Sequence, residues 1–185
     1  MKGRLLTLTL SGVVLSALAA CGDPLRFEAQ REVVNDTLTL FALTGTPVTA
    51  PSALNTFLHQ AVRLDGTSSF DLVVDIDESG QVELQPVQLV GGSGGRTAFQ
   101  VTDTPFSEVA EAPRNGYAAE ALTVAIGQTV LVRAEPLICA GQLRPEIYSK
   151  LVIEGIDLVA RTLKVRMTVD PNCGFVSFVE GIPER

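Results

Sequence analysis

An antiparallel β-sandwich is the architecture this chain predicts, and three patterns carry the expectation. Leu163, Val165, Met167 and Val169 alternate without a break with Thr162, Lys164, Arg166, Thr168 and Asp170. That is the period of a strand with one buried face and one wet face. Phe70, Leu72, Val74 and Ile76 alternate with Asp71, Val73, Asp75 and Asp77, and the alternation resumes at Val82 and Leu84 beyond Glu78-Ser79-Gly80. Residues 70–85 therefore read as a hairpin. Turn residues punctuate the rest at short intervals. About eight short strands with few helices fit an all-β sandwich of the Ig-like or jelly-roll type, with a small β-barrel as the alternative.

Composition bounds the function classes. A chain of 185 residues suffices for one domain. Its 46% hydrophobic content excludes wholesale disorder. With 14 basic against 21 acidic residues the formal net charge is −7, so nucleic acid is a disfavoured partner. A single His excludes a site built on two or more histidines of this chain.

The N-terminus reads as an address. Lys2 and Arg4 precede an uncharged, mostly apolar run over 5–20. That run is shorter than the roughly 20 residues a membrane-crossing helix needs, and Asp23 and Arg26 soon follow it. A basic start, a short apolar run and a small-residue exit describe a secretory signal peptide. The exit is Leu18-Ala19-Ala20-Cys21, which resembles the lipobox of bacterial lipoproteins over residues 1–22. The resemblance implies cleavage before Cys21, lipid on its thiol and acylation of the new N-terminus. Several acyl chains make a firm anchor, since each buried CH₂ contributes about 0.8 kcal/mol. Gly22 at the second mature position implies the outer membrane, facing the periplasm. Residues 1–20 are then a cleaved signal, 21–32 a polar tether, and 33–185 a single β-rich domain.

The elements follow in order along the mature chain. Residues 37–43 are rich in β-branched and apolar types and stop at Thr44-Gly45-Thr46-Pro47. Residues 52–62 fit either helical spacing, through Leu54, Phe57, Leu58 and Ala61, or a packed loop. After the hairpin, Gly91-Gly92-Ser93-Gly94-Gly95 reads as a loop between strands at 86–90 and 96–102. A long loop spans 103–116, with room for one helical turn at 107–111. Strands at 117–126 and 128–135 flank a Gly127-Gln128 turn. A strand at 148–156 pairs with 162–170, and Asp170-Pro171-Asn172-Cys173-Gly174 turns the chain into a closing strand at 175–179.

Export also governs the cysteines. Cys21 is the lipidation site, which leaves Cys139 and Cys173 for the folded domain. In an oxidising compartment an even pair reads as a disulfide; two buried free thiols are the alternative. Loss of Lys2 and Arg4 leaves 12 basic against 21 acidic residues, a net −9. Such a body is held to its membrane by lipid and not by charge.

Candidate chemistry is sparse. Residues 91–95 satisfy the G-x-S-x-G pattern around Ser93, but a catalytic elbow needs a following helix, and Arg96–Val101 reads as a strand. Asp75, Asp77 and Ser79 resemble the first half of a calcium loop, yet its twelfth position, where a bidentate Glu belongs, is Pro86. His59 is a candidate base, with a partly exposed polar residue as the plainer reading. No cofactor is implied. The pattern points to a lipid-anchored cell-envelope β-domain with a binding or structural role and an envelope protein as a possible partner, not to an enzyme. A barrel carrying a small apolar ligand and an envelope hydrolase using Ser93 or His59 are the competing readings.

Overall fold

A computed structural model of the chain describes residues 28–66, 69–92 and 95–184. The expected signal peptide and Cys21 lie outside these residues. The strands are β1 (Val34–Phe41), β2 (Ala53–Asn55), β3 (Gln60–Val62), β4 (Leu72–Ile76), β5 (Val82–Pro86), β6 (Thr97–Thr102), β7 (Leu122–Val124), β8 (Thr129–Ala134), β9 (Ile147–Asp157) and β10 (Thr162–Asp170). They form two five-stranded antiparallel sheets, ordered β1-β10-β9-β8-β6 and β3-β2-β4-β5-β7. Among the described residues no helix is long and apolar enough to cross a membrane.

The architecture is a β-sandwich, and the small-barrel alternative is corrected. The ladders leave both sheets open at their edges. The edge strands β3 and β7 have three residues each, too short to carry a continuous wall into the other sheet. The facing sides are filled by one cluster that includes Leu40, Leu54, Leu72, Leu84, Leu151, Ile153 and Met167. Burying a side chain of this size contributes about 1.5–3 kcal/mol, so the interior is a packed core.

The two hairpins stand where alternation predicts them. Leu72 pairs with Pro86 and Ile76 with Val82 across β4 and β5. Asp170 pairs with Tyr148 and Thr162 with Asp157 across β9 and β10. A register shift between Lys164 and Val165 marks a bulge in that ladder. Beside it Glu154 binds Lys164 Nζ at 3.0 Å and Arg166 Nε at 3.1 Å.

Other segments depart from their sequence patterns for physical reasons. Residues 52–62 form the short β2–β3 hairpin, neither helix nor loop; Ala53 pairs with Val62 and Asn55 with Gln60. The strand expected at 86–90 stops at Pro86, and Val87–Leu89 tightens into a 3₁₀ turn that buries Val87. The strand expected over 117–126 shrinks to β7 plus a single bridge from Ala118 to Phe99. Residues 106–108 make a turn in place of a helical turn at 107–111. The expected closing strand at 175–179 leaves the sheet: Ala112 N–H donates to Val176 O and Phe178 N–H to Ala110 O. This tail and the 103–116 loop lie on the outer face of the β8–β9 region, where Val109, Leu131, Tyr148 and Phe178 cluster. That cover explains why Thr168 and Asp170 are buried although alternation makes their face wet.

Candidate functional site

One end of the sandwich gathers the segment before β1, the turn after β10 and the loop after β8. The chain leaves β10 through Asp170-Pro171-Asn172, and Asn172 holds the segment that precedes β1. Its Oδ1 accepts the N–H groups of Gln30 at 2.9 Å and Arg31 at 3.0 Å. Its Nδ2 donates to Arg31 O at 2.8 Å and to Asp170 Oδ1 at 2.8 Å. One amide side chain thus holds a segment more than 140 residues away in the manner of a ladder partner. Val33 N–H donates to Gly181 O nearby at 2.9 Å. Asp170 accepts on Oδ1, while its Oδ2 is buried without a hydrogen-bond partner. Burial pushes its carboxyl above the usual range.

The next residue, Cys173, meets Cys139. Their sulfurs stand 2.04 Å apart, with Cα atoms 5.8 Å apart. The expected pair is therefore at disulfide distance. Cys139 closes a 3₁₀ turn, Leu137–Cys139, on the loop after β8, and its N–H donates to Pro136 O. Pro136 begins this turn in extended backbone and so ends β8.

Two hollows flank Phe57, a residue of the β2–β3 turn. The larger, about 600 Å³, is lined by Gln30, Arg31, Phe57, Ile138, Asn172 and Phe175 among others. The Arg31 guanidinium lies 4.8 Å from the centre of the Phe57 ring. The smaller, about 220 Å³, lies among Leu58, Phe70, Asp71, Leu137 and Ile138. Asp71 Oδ2 accepts the backbone N–H of Thr56 at 2.6 Å and its hydroxyl at 2.5 Å. Burial still drives the Asp71 carboxyl upward against those two bonds.

His59 also lies on the β2–β3 turn. It is half-buried, in left-handed backbone at φ 49°, and its Nε2 has no hydrogen-bond partner. Burial lowers its pKa, Asp36 raises it and Arg31 lowers it. Ser93 lies outside the described residues. Its neighbour Gly95 packs so closely that an added Cβ would stand 1.5 Å from Glu135 O. That close approach accounts for a glycine there without a nucleophile.

The calcium-like residues sit at the opposite end. Asp77 Oδ1 accepts the N–H groups of Ser79 and Gln81, each at 2.8 Å, and the Ser79 hydroxyl at 2.7 Å, closing its own turn. Asp75 accepts the Thr44 N–H and hydroxyl and lies 3.7 Å from Arg161. The three side chains are thus engaged by the protein itself. Among the described residues no three His, Cys, Asp or Glu side chains gather as a metal site would require.

Lys150 joins two elements that its local pattern does not connect. It is buried on β9 and donates to Phe106 O at 2.7 Å and Val109 O at 2.8 Å, pinning the 103–116 loop. Its sequence signal is a Lys beside the apolar run Leu151-Val152-Ile153 of β9. Comparison with protein-family models, with curated proteins and with solved structures finds no match to this chain.

Proposed function

We propose that this chain is a lipid-anchored β-sandwich of the bacterial envelope, at the outer membrane facing the periplasm, with a binding or structural role. The single observation that carries the reading is the lipobox-like Leu18-Ala19-Ala20-Cys21 shortly before a tether that the folded domain itself holds. A tether gripped by Asn172 presents one chosen end of the sandwich to its anchor. The Cys139–Cys173 pair suits an oxidising compartment. The partner under this reading is the membrane, through lipid, with an envelope protein as a further candidate. The packed interior and the unpartnered Nε2 of His59 favour binding or scaffolding over ligand carriage or hydrolysis.

The test is metabolic labelling of the full chain in a bacterial host with an alkynyl palmitate analogue. Label should enter at Cys21, and the protein should sediment with membranes. Cys21→Ala should abolish the label and release the protein to the soluble fraction. An unlabelled wild type, or a Cys21→Ala variant that keeps both label and membrane, overturns the reading.

A further inference from the structure

We infer that the loop carrying Leu137, Ile138 and Leu143 rests in the interfacial layer of the bilayer that holds the anchor. The inference rests on lipidation of Cys21 and deepens that reading by naming the surface the domain turns toward its membrane. Leu137 is 70% exposed, Ile138 61% and Leu143 80%. Three large apolar side chains on one loop are costly to leave in water. Leu58, also exposed, shares the smaller hollow with Leu137 and Ile138, so the apolar surface continues onto the β2–β3 turn.

The far end of the sandwich also has exposed apolar residues. Val159, at the tip between β9 and β10, is 98% exposed. Exposure therefore does not choose between the ends; the tether does. Seven residue steps separate Cys21 from Glu28, and a chain of that length spans at most about 25 Å. Glu28 shares a hollow with Ile138 and Gln142. The eleven residues of β9 alone extend about 36 Å from this end to the far one. A tether shorter than the domain is long keeps Leu137, Ile138 and Leu143 near the lipid and Val159 away from it.

The loop is also preorganised for that contact. Cys139 ties it to Cys173, and Cys173 adjoins the Asn172 that grips the tether. The clamp on Gln30 and Arg31 and the apolar tip are thus linked through Asn172 and Cys173, so docking of the tip orders little that is not already ordered. Arg31 and Arg144 are exposed beside the apolar residues. An exposed guanidinium suits a lipid phosphate.

The chain contains no Trp, so a single introduced indole is a clean reporter. The acylated full-length Leu143→Trp and Val159→Trp variants are reconstituted into phosphatidylethanolamine–phosphatidylglycerol vesicles, with and without brominated phosphatidylcholine. Intact mass measures acylation of the same samples. For a side chain seated at the headgroup–acyl boundary, bromolipid should quench the Leu143→Trp emission by about half, and the Val159→Trp emission by less than about a tenth. Absence of acyl mass at Cys21 overturns the anchor reading and this inference together. An acylated chain whose Leu143→Trp indole is quenched no more than that of Val159→Trp overturns this inference alone. The same holds if the Leu143→Trp emission is blue-shifted but insensitive to bromolipid, since the loop is then covered by protein and not by lipid.

Discussion

Asp170 shows how a single residue links the fold to pH. Its carboxyl is buried, one oxygen serves Asn172 and the other has no partner. Burial raises its folded pKa above the unfolded value. The native state therefore holds the proton more tightly, and the stability this contributes is present below the ordinary carboxylate range. It is lost as pH rises through the raised value. Asp71 acts in the same direction, also through burial. Asp170→Asn cannot ionise and keeps an oxygen for Asn172. Its thermal midpoint should gain on that of the wild type as pH is raised from about 4 to about 7. Melting curves of both proteins across that range check this, and a constant difference between them contradicts it. The grip of Asn172 on the segment before β1 was not legible in the sequence. Asn172 sits in a Pro-Asn-Cys-Gly turn, and local pattern ends there, whereas its partners Gln30 and Arg31 are joined only through the tertiary fold.

Among the elements, the 103–116 loop is held by a charge that its strand hides. Lys150 gives its ammonium to two loop carbonyls and faces the rings of Phe106 at 4.6 Å and Phe178 at 5.4 Å. Burial, reinforced by Arg166, lowers its pKa, but the amine remains the group that satisfies both carbonyls. Lys150→Met keeps the apolar stem and removes the donors. Hydrogen bonds to charged groups contribute roughly 1.5–3 kcal/mol each, and loss of this pair should lower the urea midpoint and speed amide exchange over residues 106–112. Unchanged exchange there would falsify the role assigned to Lys150. Sequence periodicity located the β4–β5 and β9–β10 hairpins because each has a local partner and a buried face. It failed on 52–62, where Leu54 and Phe57 mimic helical spacing while Thr56–His59 make a turn. It failed again on 175–179, where Phe178 is drawn off the sheet onto Tyr148 and Leu131.

Across the whole molecule, the Cys139–Cys173 link encloses both β9 and β10, the centre of one sheet. Closing a loop with a sequence separation of 34 contributes about 3–4 kcal/mol in the chain-entropy model. The double variant Cys139→Ala, Cys173→Ala should lose stability of that order in denaturant titration. A change within error would show that the unfolded chain gains little freedom from the opened loop. The same sheet has a consequence for the order of assembly. Among the described residues β1, the first strand, is laddered only to β10, the last, with Val34 opposite Val169. No growing chain can pair β1 in its native register until nearly the whole domain has been made. The loop-closure entropy of that contact is met only when both ends of the domain are available to pair. The sheet therefore closes in one late step, and until then the N-terminal strand must be kept from the wrong neighbours.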